Sequence, residues 1–334
     1  MQAPPKLKAG DEVRVLALSR TLGAALRQAG FTETDVAFAS SALESLGLRV
    51  SFGRHVWECN EHLTASPADR LADLQEAVAS PSVKAILAVT GGMGASQILE
   101  GINYDQLKAH PRIVCGYSDV GYVCNAVLRR AGLVSYYGPN FTSFMMRQGA
   151  EYTLRAFRQC LFENAPIELR PADKWSDDAW PKDQEHRTFH DAEGFWAIQD
   201  GAAEGRIVGG SCFCLNMLQG TDFFPSLREG LLFLEHPANG KATLMELDSG
   251  LRALSFLPEF ARVRAVVIGR YARSAGVTRE KLAALVGGIP ALRHLPVIGN
   301  CDFGHTTPVL TLPIGGRCKL EVSEGKASIV LTEH

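Results

Sequence analysis

Apolar runs and amphipathic stretches alternate along the first half of the chain. Glu12 to Leu18 reads as a first strand, Thr34 to Leu46 as a helix and Leu48 to Phe52 as a second strand. Ser66-Pro67-Ala68-Asp69 opens a helix that runs to about Ser80, with a serine cap and proline in the first helical position. Val83 to Val89 is an apolar third strand. It ends in Thr90-Gly91-Gly92-Met93-Gly94, and a short helix follows. Tyr104 to Ala109 reads as a helix, Ile113 to Cys115 as a strand, Val120 to Arg130 as a helix, Leu133 to Tyr137 as a strand and Tyr152 to Phe162 as a helix. Such alternation implies right-handed crossovers and a parallel sheet. Residues 1–164 are therefore expected to form a doubly wound α/β domain.

The pattern then changes. Residues 165–204 are polar and hold Trp175, Trp180 and Trp196 among acidic residues and prolines. A stretch of that length is expected to be a linker or a substrate loop. Indoles in a polar loop serve either as a binding platform or as surface packing, and the pattern leaves both open. From 205 to 334 the periodicity gives short strands (Gly230 to Leu234, Val263 to Ile268, Leu295 to Ile298, Lys319 to Val322, Ser328 to Leu331). Helices are expected near Gly250 to Leu257 and Thr278 to Val286. This is a second, β-rich α/β domain.

Composition narrows the function classes. The net charge of −2 is spread without a basic block, which argues against nucleic acid and anionic membrane as partners. No apolar run reaches the length of a membrane span, and Met1 to Asp11 has no apolar core of the kind a secretory leader needs. Eight cysteines are scattered, several of them in apolar runs (Cys115, Cys124, Cys160). They read as reduced, buried side chains of a cytoplasmic protein. Cys212 and Cys214 match neither a zinc ribbon nor a thioredoxin motif.

Candidate chemistry centres on Cys115-Gly116-Tyr117-Ser118-Asp119. A serine between a strand end and a helix start lies at the carboxyl edge of an α/β sheet, where ligands bind. Serine is also among the best helix caps, so the junction alone allows either role. Gly91 and Gly92, ending the preceding strand, are placed to face Ser118. Their amides, with that of Asp119, are expected to form an oxyanion hole. The same turn is not a dinucleotide loop, because G-x-G-x-x-G fails at the third glycine, and it lacks the lysine of a phosphate loop. Glu235 closes the apolar run Leu231 to Leu234, and a buried carboxylate needs a partner. His305 stands in a Gly/Thr/Pro turn. Ser, Glu and His together supply a nucleophile, an orienting carboxylate and a base. His186 and His190 are four apart but lack the glutamate of a zinc-binding helix, so no metal is expected. Cys301 beside His305 is read as structural rather than nucleophilic. An α/β-hydrolase elbow would need G-x-S-x-G, and Val120 occupies the last glycine position. A non-catalytic two-domain binder of small molecules remains the rival from another class.

These motifs resemble those of the LD-carboxypeptidase family of serine peptidases over nearly the whole chain. Pro5 to Asp11 is similar to the family's opening, Gly91-Gly92-Met93-Gly94 to its glycine turn and Gly116-Tyr117-Ser118-Asp119, followed by Gly138-Pro139, to its nucleophile motif. Leu232-Phe233-Leu234-Glu235 is similar to the strand bearing the triad glutamate. Gly304-His305-Thr306-Thr307-Pro308, with Thr311 to Gly315 behind it, is similar to the histidine motif. The resemblance implies Ser118 as nucleophile, His305 as base and Glu235 as its orienter, with no metal or cofactor and a homodimer as the usual state. Two branches exist. One trims D-alanine from murein tetrapeptides. The other resembles the microcin C immunity peptidases, which cleave amides joining a peptide or amino acid to a nucleotide. The loop with Trp175 and Trp180, and the Asn300-Cys301-Asp302-Phe303 lead into His305, resemble the second branch. Trp180, then Trp175, are the expected substrate contacts. Ser211 replaces an asparagine expected in this branch, which bears on one substrate contact.

Overall fold

The computed structural model describes residues 1–237 and 240–334. In the first half, β1 (Glu12–Leu16), α1 (Leu22–Ala29), α2 (Glu33–Glu44), β2 (Arg49–Phe52), α3 (Pro67–Ala79), β3 (Val83–Ala88), α4 (Tyr104–Ala109), β4 (Ile113–Gly116), α5 (Gly121–Ala131), β5 (Ser135–Tyr137) and α6 (Glu151–Phe162) follow in order. Strands β1 to β5 pair in parallel. Their apolar runs are continuous because both sheet faces are covered. Val114 faces α3, α4 and α5, while Ile113 and Cys115 face α1, α2 and α6. Ser66 caps α3 by accepting from the Asp69 amide, with Pro67 in the first turn. The helix α1 escaped the periodicity reading. It is eight residues long and is defined by its ends, a Thr21 cap and Gly30 in the left-handed conformation.

The second half contains β6 (Ile167–Glu168), β7 (Lys174–Trp175), β8 (His190–Asp191), β9 (Trp196–Gln199), β10 (Gly201–Ser211), α7 (Cys212–Met217), β11 (Gly230–Glu235), α8 (Thr243–Ser255), β12 (Ala265–Gly269), α9 (Arg279–Gly287), β13 (Val297–Cys301), β14 (Leu312–Ile314), β15 (Arg317–Ser323) and β16 (Lys326–Glu333). Eight of these strands form a sheet in the order β6-β16-β15-β10-β11-β12-β13-β9. Its centre, β10 to β13, is parallel, and its wings are antiparallel. The fold is thus mixed α/β, with a parallel-rich first sheet and a β-rich second part.

Two features depart from the sequence reading. Residues 165–204 are not only loop, because β6 and β9 close the two edges of the second sheet. The strand β14 leaves the C-terminal half and pairs antiparallel with β5, extending the first sheet to the order β14-β5-β4-β3-β1-β2. One apolar cluster runs from Ile86 and Val123 through Tyr137 to Val208, Leu232 and Ile298, so the halves share a core. Asn125 of α5 donates to the Gly209 carbonyl at 2.8 Å, a buried tie between them.

Candidate active site

The carboxyl ends of the parallel strands from both sheets meet. On one side stand the turn after β3 and the junction after β4; on the other stand Ser211, Glu235 and the loop after β13. Register places Ser211 of β10 directly beside Glu235 of β11.

Ser118 has φ of 62°, a left-handed conformation uncommon for a residue with a side chain. It turns the chain sharply from β4 into a short 3₁₀ turn, Ser118–Val120, and then α5. The hydroxyl caps neither helix. It lies 2.9 Å from His305 Nε2, and His305 Nδ1 lies 2.7 Å from Glu235 Oε2. The three side chains named from sequence are therefore joined in one hydrogen-bonded run. The imidazole keeps 28% of its side-chain surface open, whereas the Glu235 side chain keeps 1%.

A fourth side chain, not recognised in the sequence, completes the run. Tyr137, fully buried, accepts the Ser118 amide at 2.9 Å and donates to Glu235 Oε1 at 2.6 Å. Burial disfavours the Glu235 carboxylate. The charge and hydrogen bond of His305, with the Tyr137 bond, outweigh it and hold the carboxyl below its ordinary value. Burial likewise disfavours the imidazolium, yet Glu235 raises His305 above the ordinary histidine value. Tyr137 belonged to a strand in the sequence reading. Its partner is remote in the chain, so nothing local marked its hydroxyl.

The glycine turn lies against the serine. A Cβ on Gly91 would stand 2.8 Å from Ser118 Cβ and 3.0 Å from its Oγ, so only glycine allows this approach. The amides of Gly91, Gly92 and Asp119 donate to no acceptor among the described residues. The turn is held from behind. Arg70, 1% exposed, donates to the Gly94 carbonyl at 3.0 Å and to Gln97 Oε1 at 2.6 Å. Asp119 Oδ2 accepts from Ser19 Oγ and, at 2.8 Å, from the Ala95 amide.

The histidine loop has its own anchor. Asp302 and Arg270 form a buried ion pair at 2.8 Å, and Asp302 also accepts the Ala172 amide at 2.8 Å. Trp175 lies under the Arg270 guanidinium at 5.2 Å and edge-on to His190. Backbone bonds between Ser176 and Thr307, 2.8 and 2.9 Å, fasten the tryptophan loop to the histidine loop. Gly304, with φ of 115°, lets Glu235 approach, since a Cβ there would meet Oε2 at 3.0 Å.

Beside His305 is a cleft of about 130 Å³ lined by Tyr117, Ser143, Trp180, Pro181 and Thr307. Trp180 forms one wall and packs on Phe31 at 5.4 Å. Trp175 is absent from the lining. Ser211 is 4% exposed, and its hydroxyl caps α7 by accepting the Cys214 amide at 3.3 Å. His186 pairs with Asp183. Among the described residues no group of three or more His, Cys, Asp or Glu is arranged to hold a metal ion, and no helix is long and apolar enough to cross a membrane. Cys301 is buried, and burial pushes its thiol well above the ordinary value, which leaves it unreactive.

Known proteins share this arrangement of two halves. The LD-carboxypeptidase N-terminal domain matches residues 13–138, and the LD-carboxypeptidase C-terminal domain matches residues 204–320. YocD of Bacillus subtilis (strain 168), named as a carboxypeptidase, is 38% identical over 329 residues, 98% of this chain and 99% of that protein. The crystal structure of an MccF-like protein from Bacillus anthracis str. Ames superposes with a TM-score of 0.96 at 40% identity, covering 100% of each chain. The structure of MccF in complex with glutamyl sulfamoyl guanosine superposes with a TM-score of 0.86 at 23% identity, covering 99% of this chain and 98% of that one, a likeness of fold. With both family domains matched in order and a full-length relative at 38% identity, the chain belongs to the LD-carboxypeptidase family and is a serine peptidase.

Proposed function

We propose that the protein is a serine carboxypeptidase-type amide hydrolase acting on aminoacyl or peptidyl nucleotides, microcin C-like compounds among them. The observation that carries the reading is the unbroken run from Ser118 Oγ through His305 to Glu235 at the facing strand ends. In it, Ser118 attacks the acyl carbon while His305 Nε2 takes its proton. Glu235 holds the Nδ1 proton and stabilises the imidazolium. The tetrahedral oxyanion is received by the amides of Gly91, Gly92 and Asp119, which have no competing acceptor among the described residues. His305 returns the proton to the leaving nitrogen, an acyl-enzyme forms on Ser118, and water releases it by the same relay. The cleft beside His305 suits the leaving half, and the Trp180 indole offers a face on which a purine can stack for roughly 1–3 kcal/mol. Eight free cysteines fit a reducing cytoplasm, and a homodimer is the state implied by family resemblance.

Fluorophosphonate labelling separates enzyme from binder: wild type is labelled, Ser118→Ala is not, and turnover in that variant falls by at least about three orders of magnitude with the circular dichroism unchanged. Competition kinetics between an aminoacyl-sulfamoyl nucleoside and an L,D-murein tetrapeptide tests the substrate. Faster cleavage of the nucleotide conjugate, with KM raised by Trp180→Ala, is expected. Faster cleavage of the tetrapeptide assigns the enzyme to murein recycling instead.

A further inference from the structure

Three neighbouring strand ends of the first sheet are tied together by one carboxylate. Strands β4, β3 and β1 are adjacent. Ser118 and Asp119 follow β4, the glycine turn follows β3 and Ser19 follows β1. The Asp119 side chain leaves the nucleophile junction and reaches both other loops. Its Oδ2 accepts from Ser19 Oγ, 100 residues away, and from the Ala95 amide at 2.8 Å. Ser19 is fully buried, and Asp119 is 8% exposed. The Ala95 amide opens the 3₁₀ turn Ala95–Gly101, and Gly94 before it has no side chain with which to cap it. An unmet amide in a buried place is costly, so a carboxylate from another strand serves as the cap.

Arg70 completes the hold. Its Nη1 donates to the Gly94 carbonyl at 3.0 Å and, less closely, to the Leu18 carbonyl at 3.4 Å. The peptide unit between Gly94 and Ala95 is therefore held at both ends, its carbonyl by a guanidinium and its N–H by a carboxylate. Leu18 and Ser19 are held by the same two side chains. Such charge-assisted bonds are the stronger kind. A lone buried carboxylate here would oppose an oxyanion forming nearby, and the charge of Arg70 offsets it. The turn depends on these outside bonds. Gly92 and Gly94 both have φ of 142°, and glycine backbone left to itself is free to leave such a conformation.

We propose that Ser19 and the Asp119 side chain are positioning residues of the oxyanion hole. Asp119 offers its own amide to the oxyanion. Its carboxylate also sets the turn that offers the amides of Gly91 and Gly92, so the donors of two strand ends are aimed as one unit. The inference rests on the acyl-transfer reading above. A misaimed donor is felt only as charge develops on the substrate oxygen, so its loss falls on kcat and spares KM.

The test assays wild type, Ser19→Ala, Asp119→Asn and Asp119→Ala on whichever of the two substrates above the wild type cleaves faster. Rates are normalised to active sites counted by complete fluorophosphonate labelling. Ser19→Ala lowers kcat about tenfold and Asp119→Ala about 100-fold, with KM within about twofold in both. Asp119→Asn keeps an acceptor for the Ala95 amide and recovers part of the loss. A second readout is inhibition by a trifluoromethyl ketone analogue of the acyl half. Ser118 Oγ adds to its carbonyl carbon, the proton passes to His305, and the former carbonyl oxygen becomes the anion. Its inhibition constant rises across the variants in proportion to the fall in kcat/KM. A merely structural role lowers the melting temperature and the count of active sites but leaves both the normalised kcat and the inhibition constant in place, and that result overturns the proposal. So does a loss carried by KM alone. Ser19→Ala removes only one hydroxyl, so the test stands even where Asp119→Ala does not fold. A wild type that takes up no fluorophosphonate and cleaves neither substrate overturns the functional reading itself.

Discussion

Ser118 holds its left-handed φ because its amide is taken by Tyr137 and its hydroxyl by His305. Left-handed backbone at a residue with a side chain costs on the order of 1 kcal/mol, which the surrounding bonds offset. Tyr137 links that amide to Glu235, so one phenol organises both ends of the relay. Tyr137→Phe leaves a buried carboxylate oxygen and an amide unpartnered. Urea unfolding of that variant should show a loss of roughly 1–3 kcal/mol, and kcat should fall more than KM rises. Unchanged stability and kcat would remove Tyr137 from the account. With His305 as the proposed base, its raised value puts the expected acid limb of kcat/KM above about 6.5, since a base acts as the neutral imidazole, which is lost as pH falls. Glu235→Gln removes the charge that raises it, so the limb moves to lower pH while the rate drops. A limb that stays in place in Glu235→Gln counts against His305 as the titrating base. Stability runs the other way. The pair stabilises the fold fully between about 4.5 and 6.5, fading below as Glu235 is protonated and above as His305 deprotonates. Activity therefore peaks at a higher pH than the stability contribution of this pair.

At the scale of elements, two loops are set by buried charges. Arg70 on α3 holds the glycine turn, and Arg270 after β12 holds the histidine loop through Asp302. Removing one member of such a pair strands the other. Asp302→Ala should cost roughly 3–5 kcal/mol in denaturant unfolding, whereas an apolar replacement of both Arg270 and Asp302 should cost less. Equal losses in the single and double variants would show that packing rather than charge is at stake. Trp175 enters the same element, under Arg270, so Trp175→Ala should lower stability with little change in KM. The alternating strands and helices of the first half were legible because their periods repeat and their caps are local. The strand β10 was not. Its sequence, Gly201 to Ser211, carries three glycines after its first residue and two charges, and becomes a strand only because β11 and β15 pair with it on either side.

Across the whole molecule, the halves are not independent bodies. The strand β14 crosses from the second half into the first sheet, and a single apolar cluster spans both. The intact chain should unfold in one transition, with tryptophan fluorescence and far-ultraviolet circular dichroism coincident. A fragment ending at residue 164 lacks β14, Glu235 and His305, and should hydrolyse nothing. Two separated transitions, or an active fragment, would contradict this. Sequence by itself determined what is local: the strand–Ser118–helix junction, the paired glycines at 91 and 92, a carboxylate at the end of an apolar strand, and a histidine in a turn. Each follows from residues within one or two helical turns of one another, where period, cap and backbone freedom decide. Tertiary structure alone decided which of these meet. Ser118 and His305 are separated by 187 residues, and their contact depends on two mixed sheets whose parallel strands face each other at their carboxyl ends. It also decided which side chains spend their polar groups elsewhere. Ser211 caps a helix, Trp175 packs under an arginine, and Tyr137, ordinary in sequence, becomes the hinge of the relay. A hydrogen bond is a property of two partners, and a one-dimensional pattern shows only one of them at a time.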